Sequence, residues 1–358
     1  MKAIIIAGGL GTRLRPLTYN TPKPIVPVAN RPFVVHQIEL LKQHGVTEVI
    51  LNLHYLPDAI KMALGDGGEF GVKIYYSLEA EPLGTAGAVK NAEEFFDGYK
   101  EPLIVFNGDV LTDINITKIV ELHKKKKAKA TLSLTPVDDP TSYGLVLTDD
   151  AGRVTEFLEK PSFERIEGLS RTDINAGIYI LDPSIFKKVP KNARYMFEHD
   201  LFPSLLREGQ PVYGVTSERY WIDIGNNKKY KMAHDAILRG EVAVRIFGTR
   251  EKGGYWIGDN SRISKSARLF GNVLVGEGVR VEDGAVVKDY SVLGNRVFVG
   301  KNSTIENSIV WEGCQIGEHV KLSDCIIGFN TRIENNCALS GVVLADHSVL
   351  AKGSLINV

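Results

Sequence analysis

Cysteine is scarce in this chain of 358 residues: Cys314, Cys325 and Cys337 are the only three, with no CxxC spacing and no companion histidine cluster. A disulfide framework is thereby excluded and zinc is disfavoured, so the cysteines are expected to serve as buried small side chains. Proline is missing beyond Pro211, although 15 prolines lie at or before that position, and 15 of the 35 glycines follow Gly240. Charge of one sign is also missing, with 43 Lys and Arg against 43 Asp and Glu. No global field therefore draws the protein to nucleic acid or to an anionic membrane, and small molecules are the expected partners. The apolar run nearest the start, Ala3 to Ala7, is too short for a signal-peptide core or a membrane span and runs straight into glycines, which points to a cytoplasmic protein. What remains is ordinary globular composition, 44% hydrophobic and 24% charged. The length corresponds to about two domains of roughly 150 residues each.

The glycine and proline asymmetry places a change near residue 240, dividing the chain into 1–240 and 241–358. The first block alternates strand and helix patterns. Strands are expected at Ala3–Ala7, Glu48–Leu53, Val72–Tyr76 and Leu103–Phe106, with helices at Phe33–Gln43, near Ala59 and at Ala86–Phe95. This is the pattern of an α/β fold with a Rossmann-like, mostly parallel sheet and right-handed crossovers. Shorter, more alternating strands at Thr131–Val137, Leu145–Thr148, Val154–Phe157 and Ala176–Leu181 make part of the sheet mixed, and a helix over Asn226–Leu238 closes the block. The second block is a repeat: Ile257, Ile263, Leu269, Val275, Val281, Val287, Leu293, Val299 and Ile305 are six apart without a break. After a one-residue slip the phase resumes at Ile316 and Leu322, then at Ile327, Ile333 and Leu339, then at Leu344 and Leu350. One short strand per hexapeptide and three faces per coil make a parallel β-helix of five or six coils, at about 18 residues each. A backbone committed to ladders has no use for proline, which fits its absence here.

Directly after the first strand comes Gly8-Gly9-Leu10-Gly11-Thr12-Arg13-Leu14, followed by Pro16-Leu17-Thr18 and Pro22-Lys23-Pro24. Glycines let backbone N–H groups approach phosphate oxygens, and Arg13 and Lys23 can neutralise phosphate charge, so the segment reads as a triphosphate cradle. It lacks the GxxxxGK[ST] spacing of a P-loop, and Pro16 interrupts any GxGxxG that would open into a helix. The stretch Gly8–Lys23 resembles the GGxGTRLxPLTxxxPKP signature of sugar-1-phosphate nucleotidylyltransferases. Further motifs follow in matching order: Glu81-Pro82-Leu83-Gly84-Thr85-Ala86-Gly87, Asn107-Gly108-Asp109, Tyr143-Gly144, Glu159-Lys160-Pro161, Asn175-Ala176-Gly177 and Trp221-Ile222-Asp223-Ile224-Gly225. Together with the repeat, which resembles the hexapeptide repeats of left-handed β-helices, the chain is similar to mannose-1-phosphate guanylyltransferases. Thymidylyl-, uridylyl- and adenylyltransferases for glucose 1-phosphate are neighbouring families.

The resemblance implies a Mg²⁺-dependent reaction between a nucleoside triphosphate, most simply GTP, and a sugar 1-phosphate, most simply mannose 1-phosphate. Its implied catalytic residues are Arg13 on the β- and γ-phosphates, Lys23 on the α-phosphate, and Asp109 and Asp223 as ligands of Mg²⁺. Gly8, Gly9, Gly11, Thr12, Glu81, Pro82, Gly84 and Thr85 are implied for the nucleotide, and Gly144, Glu159, Lys160 and Asn175 for the sugar phosphate. Guanine carries N1–H and N2–H₂ donors on its pairing edge, so Glu81, with Glu79 behind it, is the base-reading candidate. Lys124-Lys125-Lys126-Lys127 reads as a solvated helix end. His319 and His347 are assigned to stacking or oligomerisation in an expected homo-oligomer, in preference to acyl transfer. A non-catalytic regulatory subunit on the same fold would be expected to lose Arg13, Lys23, Asp109 or Asp223, and all four are present.

Overall fold

The structure is a computed structural model that describes residues 1–169 and 171–358. They gather into two compact units, one of Met1–Leu10 with Val34–Asp223 and one of Gly11–Phe33 with Ile224–Val358.

The first unit is built on strands β1 (Lys2–Ile6), β2 (Glu48–Leu53), β3 (Lys73–Leu78) and β4 (Leu103–Asn107), which pair in parallel. Strands β1, β2 and β4 are apolar on both faces and almost wholly buried, as expected of strands covered by helices on either side. Helices α1 (Phe33–Gln43), α2 (Pro57–Leu64) and α3 (Gly84–Asn91) supply the crossovers, and α2 opens with Pro57 where no N–H is needed. Strand β5 (Val110–Thr112) leads into α4 (Ile116–Lys126), whose N-cap Asn115 accepts from the Lys118 N–H at 3.1 Å. Its last turn carries the lysine run, with Lys124 paired to Glu101 at 2.6 Å.

The chain then adds β6 (Ala130–Pro136), β7 (Gly144–Thr148), β8 (Val154–Glu159) and β9 (Asp173–Leu181). After a short α5 (Phe202–Arg207) come β10 (Val212–Thr216) and β11 (Trp221–Asp223). The sheet runs β8-β7-β9-β4-β1-β2-β3, with β6 on β9 and β10 on β6. Strand β9 is antiparallel to both β4 and β6, so the sheet is mixed. Strands β10 and β11 were not expected from the sequence, being three to five residues long and without strong alternation.

Within this unit His123 is buried with its Nδ1 3.0 Å from Thr131 Oγ1, and burial pushes its imidazole from 6.5 down to about 4. The folded state resists a proton that the unfolded chain accepts, so stability falls as pH drops from about 6.5 toward 4 and is untouched by this group above about 7.5. Thermal scans at pH 7, 6 and 5 are expected to show this decline, with a shallower slope in His123→Gln.

The second unit contains the coil. Three parallel sheets stack along it, with Ile257, Val275, Leu293, Val310, Ile327 and Leu344 in register on one face. Val275 pairs with Leu293 eighteen positions on, whereas Leu293 pairs with Val310 seventeen on, and later turns keep seventeen. The one-residue slip is thus a tighter corner. Asp289 and Tyr290 both take positive φ in the longer corner, and Asn307 alone does so in the shorter one. His319 and His347 sit at φ +56° and +60° in corners of the kind also filled by Asn302, Asn330 and Asn336.

The three cysteines are buried and unpaired in disulfides. Cys314, Cys325 and Cys337 donate to the carbonyls of Gly328, Leu339 and Ala351 at 3.0, 3.5 and 3.2 Å. Ser303 and Thr331 make the same fourteen-residue reach to Gly317 and Ala345. Burial pushes the Cys314 thiol up to about 12 and raises that of Cys325, so these two side chains pack and do not act as thiolates.

The same unit holds helix α6 (Asn227–Arg239), capped by Asn226 accepting from Lys229 N–H at 2.9 Å, and a hairpin of Pro27–Val28 and Arg31–Pro32. Trp311, fully buried on the coil, donates from Nε1 to Tyr230 OH at 2.9 Å, and Tyr230 OH donates to the Pro27 carbonyl. Thr21 Oγ1 donates to Asp346 at 3.1 Å and Asn30 Nδ2 to the Leu293 carbonyl at 2.8 Å. Segment Gly11–Phe33 is therefore laid down on the coil and on α6.

Candidate active site

Strand β4 ends in Asn107-Gly108-Asp109, at the carboxyl edge where parallel strands place ligands. The buried Gln37 of α1 donates from Nε2 to the carbonyls of Asn107 and Val110, at 3.0 and 2.9 Å, bracing the turn from both sides of Asp109. Strands β5 and β11 pair antiparallel with Asp223 opposite Val110, the residue that follows Asp109 in the chain. Tyr143 OH lies 3.5 Å from Asp223 Oδ1, its ring packs edge-on against Trp221 at 5.8 Å, and Trp221 Nε1 donates to the Ala176 carbonyl at 2.9 Å. Among the described residues no group of three or more His, Cys, Asp or Glu gathers as a metal cage. Two carboxylates at one edge fit a hard divalent cation that completes its shell with phosphate oxygens and water, the habit of Mg²⁺.

The sugar-phosphate candidates meet in the same unit. Glu159 pairs with Gly144 across β8 and β7, and a Cβ at residue 144 would lie 2.9 Å from Glu159 Oε2 and 4.0 Å from Asn175 Cβ. A side chain there would push the Glu159 carboxylate aside. Lys160 follows at φ +44°, exposed, with its N–H donating to the Tyr143 carbonyl at 2.9 Å. Asn175 sits on a bulge: from Asn175 to Tyr179 the strand advances four positions while its partner advances two, from Leu134 to Leu132. Bulges re-aim side chains at such places. Its Oδ1 accepts from Gly177 N–H at 3.1 Å.

Among the nucleotide candidates, Gly8 and Gly9 continue from β1, and the Glu79 carboxylate lies against Gly8. Glu79 is buried, which raises its pKa, and its Oε2 accepts from Leu83 N–H at 3.0 Å. That bond fixes the loop on which Glu81 and Pro82 stand exposed. Gly84 and Thr85 open α3, where the Ala86 and Gly87 N–H groups donate to the Tyr195 carbonyl at 3.0 and 2.9 Å. Those two amides are thus spent within the fold, which narrows the part of the helix end able to face a nucleotide.

The remaining candidates belong to the second unit. Gly11 adopts φ +63°, and a Cβ there would lie 3.2 Å from Thr18 Cγ2 and 3.3 Å from Lys23 Cβ, so a larger residue would be strained and crowded. Thr18 Oγ1 donates to the Gly11 carbonyl at 2.7 Å, closing the loop around Lys23. Thr12 and Arg13 lie exposed in the turn Thr12–Leu14.

The model of the nucleotidyl transferase family matches residues 2–240, and the EIF2B subunit epsilon LbH domain model matches residues 252–356. The chain belongs to the sugar-1-phosphate nucleotidyltransferases. Its coil is of the left-handed β-helix class. It is 35% identical over 340 residues to a UTP–glucose-1-phosphate uridylyltransferase of Synechocystis, covering 91% of this chain and 87% of that protein. It is 33% identical over 365 residues to mannose-1-phosphate guanylyltransferase 1 of Arabidopsis thaliana, covering 99% and 95%. Among solved structures it resembles HddC of Yersinia pseudotuberculosis complexed with GMP-PN, at TM-score 0.56 and 31% identity over 66% of this chain and 99% of that one.

Two residues that hydrogen-bond to the motif segments escaped the sequence reading. Gln37 sits on an apolar helix and carries no motif, and Glu198 lies in Met196-Phe197-Glu198-His199-Asp200, a stretch without period or signature. Concavity is a poor guide as well: a cavity of about 470 Å³ lined by Lys90, Glu93, Asp97 and Lys191 contains none of the motif residues. No helix among the described residues is long and apolar enough to cross a membrane.

Proposed function

We propose that the enzyme transfers a guanylyl group from GTP to mannose 1-phosphate with Mg²⁺, releasing pyrophosphate, with 1–240 as the catalytic block and 241–358 as the coil. The observation that carries the base assignment is Glu81, exposed on a loop held in place by Glu79. A carboxylate accepts both donors of guanine's pairing edge, whereas uracil and thymine offer one N–H flanked by carbonyl oxygens that it repels. Full-length relatives named for mannose-1-phosphate guanylyl transfer support the same reading. UTP with glucose 1-phosphate is the second reading, favoured by the Synechocystis relative.

In the reaction an oxygen of the sugar phosphate attacks the α-phosphorus in line. The new P–O bond forms as the bond to the bridging oxygen breaks, and pyrophosphate departs with that electron pair. No protein nucleophile is required, because the attacking phosphate is already ionised. Arg13 grips the β- and γ-phosphates through its planar fork, and Lys23 places a point charge on the α-phosphate. Asp109 and Asp223 would hold Mg²⁺, which neutralises charge on the phosphate oxygens when bound. Glu159 accepts from sugar hydroxyls with Gly144 and Asn175 beside it, and Lys160 reaches the sugar phosphate. A cytoplasmic location and a homo-oligomeric state belong to the same proposal.

Pyrophosphate release is the test, with GTP, dTTP, UTP, ATP and CTP each set against mannose, glucose and N-acetylglucosamine 1-phosphates. GTP with mannose 1-phosphate is expected to be fastest, and Glu81→Gln is expected to reduce the preference for GTP over UTP by about tenfold or more, the value of one charged hydrogen bond. An unchanged preference in that variant removes Glu81 from base reading.

A further inference from the structure

The segment Met196–Asp200 had no role in the sequence reading, yet Phe197–Leu201 forms a single π-helical turn, a local irregularity often found at functional sites. Glu198 points from this turn into the interior and its two carboxylate oxygens face different motifs. Oε2 accepts from Thr85 Oγ1 at 3.2 Å, and Thr85 Oγ1 in turn accepts from Phe197 N–H at 2.8 Å. Oε1 accepts from Tyr179 OH at 3.0 Å and from Asn175 Nδ2 at 3.4 Å, and Asn175 Nδ2 also donates to Tyr179 OH at 2.8 Å. One carboxylate thus joins Thr85, a nucleotide candidate, to Asn175, a sugar-phosphate candidate.

Burying a carboxylate is costly, and a neutral or apolar residue would pack here at lower cost if packing were the whole purpose. Burial and the nearby Glu159 both raise the pKa of Glu198, while the hydroxyls of Tyr179 and Thr85 lower it. The turn itself is anchored separately, since Asp200 Oδ2 accepts from Met196 N–H at 2.7 Å.

We propose that Glu198 is a positioning residue that couples the two substrate subsites, holding Thr85 and Asn175 in fixed mutual register so that occupation of one subsite orders the other. This rests on the transferase reading above and touches neither substrate directly. The coupling is tested by KM for the nucleoside triphosphate and for the sugar 1-phosphate in four proteins: the parent, Glu198→Gln, Thr85→Val, and the double variant.

Thr85→Val alters the nucleotide side, yet it is expected to raise KM for the sugar phosphate about fivefold to tenfold, because the side-chain hydrogen bonds that join it to Asn175 run through the Glu198 carboxylate. In the Glu198→Gln background that cross-effect is expected to vanish, and Glu198→Gln by itself is expected to raise both KM values. Glu198→Gln keeps the side chain's shape and one acceptor, so it tests the coupling where Glu198→Ala fails to fold. A Thr85→Val effect confined to the nucleotide KM, or a cross-effect that persists in Glu198→Gln, overturns the coupling. A parent protein that releases no pyrophosphate with any pair overturns the transferase reading instead.

Discussion

Asp223→Asn is expected to leave the fold intact and to lower kcat by about 10²- to 10³-fold, the usual cost of removing one charge-stabilising group from a site of this kind. Asparagine keeps the size of the side chain at the end of β11, so the pairing of β11 with β5 survives. The variant loses one of the two negative charges proposed to hold the divalent cation against the phosphates. Asp109→Asn should behave alike, and because the two carboxylates serve one ion, the double variant should be little worse than either single one. The measurement is pyrophosphate release across a Mg²⁺ titration, with thermal unfolding as the control. Activity within threefold of the parent at saturating Mg²⁺, with an unchanged midpoint, would falsify the assignment of Asp223 as a metal ligand.

Trp311→Ala is expected to cost about 3–5 kcal/mol of stability, the range for truncating a fully buried tryptophan. The loss has two parts. A cavity opens where Trp311 packs at 4.7 Å from Phe329, and the Tyr230 hydroxyl loses its donor while still reaching for the Pro27 carbonyl. Since Pro27 follows Lys23 closely in a segment laid on the coil, activity should fall along with stability even at temperatures where the variant is folded. Trp311→Phe keeps part of the packing and loses the hydrogen bond together with a smaller volume, so a lesser cost of about 1–3 kcal/mol is expected there. Differential scanning calorimetry with kcat measured well below the transition separates the two effects. A normal kcat in folded Trp311→Ala would show that the loop keeps its working geometry without this brace.

Much of the fold was legible because its signals are one-dimensional. Helix Phe33–Gln43 and strand Glu48–Leu53 fell at their expected bounds, since apolar periodicity and burial agree there. The coil was legible even to its slip, because a missing residue in a corner shifts the phase of every aliphatic that follows. Strands β10 and β11 were not legible, as neither carries the alternation of a half-buried strand. The site divided in the same way. Asp109, Glu159, Asn175 and Asp223 were singled out by motif, whereas Gln37 and Glu198 act through partners distant in sequence and leave no spacing to find.

The chain alone determined the alternating β/α block, the hexapeptide coil, the buried inert cysteines and the set of motifs that marks a sugar-1-phosphate nucleotidyltransferase. All of these depend on residue type and local spacing, which are fully present in the linear order. Only the tertiary structure decided that Asp223 lies opposite Val110, the residue after Asp109, through the pairing of two three-residue strands more than a hundred positions apart. It also decided that one carboxylate spans Thr85 and Asn175, and that the segment bearing Lys23 is laid against the coil. Each of these is a long-range match of donor to acceptor or strand to strand, and such matches are selected by the packed geometry of the whole fold.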